Sequence, residues 1–142
     1  MTSTLEIRQG RGRRVTAPVV VALGVLGVSV VLHLRDPHES GSYLFCPWLL
    51  LTGTYCPGCG GLRAVHDLTR GDVAAAASSN LLLVGAVPFL LVVWVRWLAD
   101  RWRGVSRAVS SRAGIALAAA LGLVTLGFWV ARNLPGLEWL AP

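Results

Sequence analysis

Three long apolar runs divide the chain. Residues 15–34 (VTAPVVVALGVLGVSVVLHL) contain no full charge. At 1.5 Å per residue, a helix of that length reaches roughly 30 Å, the thickness of a bilayer's hydrocarbon core. A cleaved signal peptide is the rival reading. The run is longer than an ordinary signal core, and His33-Leu34-Arg35-Asp36-Pro37 does not resemble a small-residue cleavage site. Residues 80–98 (NLLLVGAVPFLLVVWVRWL) form the second run, with Pro88 tolerable as a kink and Arg96 able to snorkel to the interface. Asp72 is a good N-cap before Val73 and Ala74–Ala77, and Gly71 suits the end of whatever precedes it, so this helix can begin earlier. Residues 114–131 (GIALAAALGLVTLGFWVA) form the third run. Its Gly114, Ala118 and Gly122 fall on one face at a spacing that permits close helix approach in lipid. The pattern predicts an all-α membrane protein with three transmembrane helices. A partly embedded outer loop with one or two short helices completes the expected fold.

Composition strengthens that picture. Hydrophobic residues make up 54% of the 142 and charged residues 14%, too apolar for a soluble domain of this size. All basic residues are Arg, and the net charge is +6. They stand at the ends of apolar runs, not in a stripe with interleaved aromatics, which argues against nucleic-acid binding. The absence of Lys, with heavy use of Ala, Gly, Val and Leu, points to a high-GC bacterial genome. Residues 1–14 hold Arg8, Arg11, Arg13 and Arg14 and read as a flexible basic tail before a single membrane domain, residues 15–142. The link between the second and third runs holds Arg101, Arg103, Arg107 and Arg112 against Asp100. The link between the first and second balances Arg35, Arg63 and Arg70 with Asp36, Glu39, Asp67 and Asp72. Basic segments stay in the cytoplasm, which predicts a plasma-membrane protein with its N-terminus inside and C-terminus outside. Trp94, Trp97 and Trp102 then mark the inner interface, and Trp129 and Trp139 the outer one.

The outer loop, residues 43–79, carries the candidate chemistry. It is too apolar for a solvated link, and residues 44–55 read as dipping into the membrane surface or packing across the bundle. Its cysteines are Cys46, Cys56 and Cys59. Cys56-Pro57-Gly58-Cys59 suits a type II turn, which brings the outer residues close enough for a disulfide or for two ligands on one metal. Gly60-Gly61 can open a short helix over residues 62–68. Its N-terminus, with Arg63, favours a thiolate or holds an anion.

This stretch is similar to a family of small bacterial membrane proteins catalogued only as a domain of unknown function. The shared pattern stands here as Cys46-Pro47, Thr52-Gly53, Cys56-Pro57-Gly58-Cys59-Gly60, Arg63-Ala64, Gly71-Asp72 and Asn80. Leu62 and Leu81 depart from the residues that members often carry there, Thr and Pro. The resemblance implies a membrane location and a shared motif, and brings no activity with it.

Four readings of the cysteines stay open. The leading one is a structural disulfide, Cys56–Cys59 or Cys46 with either, stapling the loop on the oxidising side of the membrane. The second is a zinc-like metal knuckle, with Cys46, Cys56 and Cys59 joined by His66, or else His38, as fourth ligand. The third is a thiol–disulfide redox site with Cys46 as resolving thiol, for which no second C-x-x-C pair is present to pass electrons on. The fourth is an accessory subunit of a larger complex. Asp67 and Asp72, five apart, do not form a paired-carboxylate site. The sequence leaves open whether the chain is an enzyme, and the bilayer, a second copy or another membrane protein is the expected partner.

Overall fold

The computed structural model describes residues 2–39, 46–105 and 110–142, of which residues 2–13 are described by backbone alone. Residues 44 and 45 of the apolar loop segment, and Arg107 of the inner link, lie outside them. The elements are α1 (Thr2–Leu34), α2 (Pro47–Thr52), α3 (Gly61–Thr69), α4 (Val73–Arg103) and α5 (Ser111–Ala131), then a single 3-10 turn, Glu138–Leu140. Three of these are long and apolar enough to cross a membrane, over Arg14–Leu34, Val73–Arg103 and Ser111–Ala131. No strand occurs among the described residues. The protein is an all-helical, multi-pass membrane protein, as the apolar runs require.

The caps follow the sequence. Asp72 accepts a hydrogen bond from the Ala75 N–H (2.8 Å), and Ser110 accepts one from Ala113 (3.2 Å). Each satisfies an N–H that a helix start leaves without a partner. Gly53 and Gly104, both left-handed, end α2 and α4. α1 and α4 run antiparallel. Near one end the Trp94 indole donates to the Pro18 carbonyl (3.0 Å). At the other end, α3 lies between Leu32 of α1 and Ser79–Asn80 of α4.

The break in α4 falls at Asn80, not at Pro88. Asn80 has φ −160° and ψ 93°, extended values inside an otherwise continuous helix. Its side-chain carbonyl accepts the Leu83 N–H (2.9 Å), which a regular helix would direct to Ser79. A side chain inserted into the helical ladder is a recognised cause of a kink. Asn80 is therefore the N-cap of the membrane-crossing part of α4.

Interior packing is thin. Among the described residues, the buried apolar side chains Leu32, Cys59, Ala64, Ala76 and Leu140 group around α3 and the ends of α1 and α4, and Pro18 is fully buried at the other end of α1, beside Trp94. Long stretches of Val and Leu on α1, α4 and α5 face outward, as lipid-facing surfaces do. α5 buries no residue, and open space surrounds its Gly122. The small-residue face expected on this helix is thus not used within the chain.

Candidate metal centre

Four segments converge on the cysteine loop. α2 begins directly after Cys46, with Pro47 in its first turn, where a missing N–H costs nothing. Two successive turns follow at the C-x-x-C segment. The Cys59 N–H donates to the Cys56 carbonyl (3.1 Å), and the Gly61 N–H to the Gly58 carbonyl (2.9 Å). The expected type II turn is corrected here. Gly58 lacks the positive φ that such a turn requires, and the left-handed residue is Gly60 (φ 77°). The turns feed directly into α3, and Gly60 makes the reversal as its N-cap.

The three sulfurs meet at one point. Cys56 and Cys59 Sγ are 2.9 Å apart, Cys46 and Cys59 3.4 Å, and Cys46 and Cys56 3.6 Å. All three are free thiols. A disulfide, at about 2.05 Å, joins none of them. The Cys56 N–H also points at the Cys59 sulfur (3.2 Å), an orienting bond of the kind that supports a thiolate ligand. Burial, reinforced by hydrogen bonding with Cys56 and Cys46, pushes the Cys59 thiol up to about 12. Cys46 moves the other way, drawn down first by the Leu49 backbone N–H and then by Cys59.

Buried side chains hold the loop from two sides. The Asn80 amide donates to the carbonyls of Pro57 (2.9 Å) and Cys59 (3.0 Å). From the end of α5, Arg132 Nη1 donates to the carbonyls of Cys56 (2.9 Å), Cys59 (3.2 Å) and Pro57 (3.5 Å). Arg132 is only 2% exposed, and its guanidinium stacks on Phe128 (4.9 Å) and Tyr55 (5.9 Å). Its Nε and Nη2 are buried without hydrogen-bond partners. Burial lowers its pKa, and the charges of Cys59 and Cys56 oppose that shift. Next to it, Asn133 makes a two-way bond with the Tyr55 backbone, accepting its N–H and donating to its carbonyl (2.9 Å each).

The other expected residues are dispersed. His66 and His38 lie with Asp36 in a separate group and not among the sulfurs. Arg63 donates to the Pro37 carbonyl (3.4 Å), so it serves that side of the loop. Gly71 is left-handed before the Asp72 cap. Arg132 was missed by sequence reasoning, because it reads as one charge in a short tail and lies 76 positions from Cys56.

This geometry covers most of the region that the comparisons pick out. Residues 46–94 match the family model described as "Protein of unknown function (DUF2752)". The match takes in all three cysteines, α2, α3 and the first part of α4 with Asn80; Asp36, His38 and Arg132 fall outside it. No curated protein and no solved structure matches the chain.

Proposed function

We propose that this protein holds one thiophilic, zinc-like metal ion through Cys46, Cys56 and Cys59, at the extracytoplasmic end of its helices. The observation that carries the reading is the closure of all three sulfurs to within 3.6 Å of one another with no bond between them. Three sulfurs on one tetrahedral ion, at metal–sulfur distances of about 2.3 Å, stand about 3.8 Å apart. Small outward movements of the thiols reach that spacing. Three thiolates around a divalent ion carry one net negative charge, and the buried guanidinium of Arg132 balances it. The fourth coordination position falls to water, a substrate atom or a partner side chain, which suits an exchangeable or reactive centre more than a closed structural one. Placing the loop outside rests on the Arg bias of the two other polar segments.

The close approach of Cys56 and Cys59 favours a second reading. Exchange with a disulfide of a partner protein would form the Cys56–Cys59 bond and leave that partner with two thiols, with Cys46 positioned to attack the new bond.

Native mass spectrometry of the purified protein separates the two. The metal reading expects one ion per chain, removed by chelator and absent from Cys56→Ser. A chain two protons lighter and without metal supports the redox pair instead. A fully reduced chain that takes up no added zinc contradicts both.

A further inference from the structure

Away from the sulfurs, Asp36, His38 and His66 bring one ligand atom each to within 4.8 Å of the others, where the end of α1 meets α3. Asp67 borders the group. The hydrogen bonds constrain both rings. His66 Nδ1 lies 2.6 Å from the Leu32 carbonyl, and His38 Nδ1 lies 2.9 Å from Asp36 Oδ1. The Leu32 carbonyl only accepts, so His66 Nδ1 carries the proton and, in the neutral ring, Nε2 keeps a lone pair. His38 stands between two carboxylates, Asp36 and Asp67, and a neutral ring has one N–H for the pair.

Each Nε2 then faces an anionic oxygen. His66 Nε2 is 3.7 Å from Asp36 Oδ1, and His38 Nε2 is 3.7 Å from Asp67 Oδ2. These separations are too long for hydrogen bonds, and a lone pair against a carboxylate repels. His66 is 2% exposed and Asp67 6%, so water does little to screen the conflict. Asp67 is further held by the Ser79 hydroxyl (3.2 Å). A positive charge among His66 Nε2, Asp36 Oδ1 and His38 Nδ1 resolves the conflict and leaves the His38 Nε2–H to face Asp67.

We propose that Asp36, His38 and His66 bind a divalent transition-metal ion at a second site, independent of the cysteines. Asp36 Oδ1, His38 Nδ1 and His66 Nε2 are the donors. The Leu32 carbonyl behind His66 and the Asp67 carboxylate behind His38 play the orienting role of the outer partners of metal-bound histidines. Two carboxylates neutralise the ion. A nitrogen-and-oxygen donor set suits zinc, manganese or ferrous iron; zinc also suits three sulfurs, whereas manganese does not. His38 lies partly in solvent and provides the route of entry.

Cobalt(II) titration of the full chain in detergent reads the two sites separately, because sulfur-to-cobalt charge transfer marks only the thiolate site. The expected result is one cobalt without that absorption, in addition to any that shows it. His38→Ala, at an exposed position, removes this ion and leaves the charge-transfer signal as it was. Asp36→Asn weakens it about 10–100-fold. Cys56→Ser leaves it in place. A chain that binds no cobalt outside the thiolates overturns the second site, as does binding unchanged in both His38→Ala and Asp36→Asn; protonated histidines would then supply the missing charge. If the charge-transfer signal is absent and the His38-dependent ion is present, the cysteine reading fails and this one stands.

Discussion

Gly60 tolerates no side chain. Its φ of 77° costs an L-residue roughly 1–2 kcal/mol, and an added Cβ would strike the Ser79 carbonyl. Gly60→Ala is expected to lower stability by about 2 kcal/mol or more, read from thermal unfolding in detergent. Arg132 is equally constrained, since one nitrogen serves three carbonyls. Arg132→Lys keeps the charge but loses the planar fork stacked on Phe128 and Tyr55, and should cost about 1–3 kcal/mol as lost charge-assisted hydrogen bonds to carbonyls that keep only their Cys59 or Asn80 donors. Cys59 sets the pH behaviour. Its thiol is protonated well past neutrality, with a pKa of about 12. An ion must displace that proton, so metal affinity should rise with pH. Proton release, counted by calorimetry in buffers of different ionisation enthalpy, checks this, and zero release contradicts it. In the metal-free chain the sign reverses. The unfolded thiol ionises near 8.5, so the folded state loses stability as pH rises from there towards 12.

At the scale of elements, the break in α4 links the cysteine turn to the membrane-crossing helix. Asn80 caps the helix with its carbonyl and holds the cysteine turn with its amide. Asn80→Ala should cost about 1–2 kcal/mol as a lost cap and weaken metal binding as well. Asn80→Asp keeps the cap acceptor and lacks the donors, so it should spare the helix more than the metal affinity. Much of this was legible in sequence. The spans follow from apolar run length, and the Asp72 cap and the helix after Gly60 follow from local chemistry. The position of the break was not legible, because Pro88 carries the stronger local signal. Asn80 acts through contacts to Pro57 and Cys59, more than twenty positions away.

For the whole molecule, the three apolar helices leave little interior, and most of the packed part lies at the cysteine end, with Pro18 beside Trp94 buried at the other. The three cysteines were legible as a group from the motif. Their charge partner Arg132 and the separation of His66 from them were not, since both depend on how α1 and α5 end against the loop. We propose, from the Arg distribution, that the cysteine end lies outside the cytoplasm. A membrane-impermeant thiol reagent should therefore label metal-stripped, reduced protein in intact cells; labelling confined to inverted vesicles would reverse the orientation.

The central claim is that Cys46, Cys56 and Cys59 share one ion. X-ray absorption at the zinc edge, on the His38→Ala chain loaded with one equivalent, tests it most directly. The account predicts three sulfur neighbours at about 2.3 Å and one lighter atom. A shell of nitrogen and oxygen alone would contradict it.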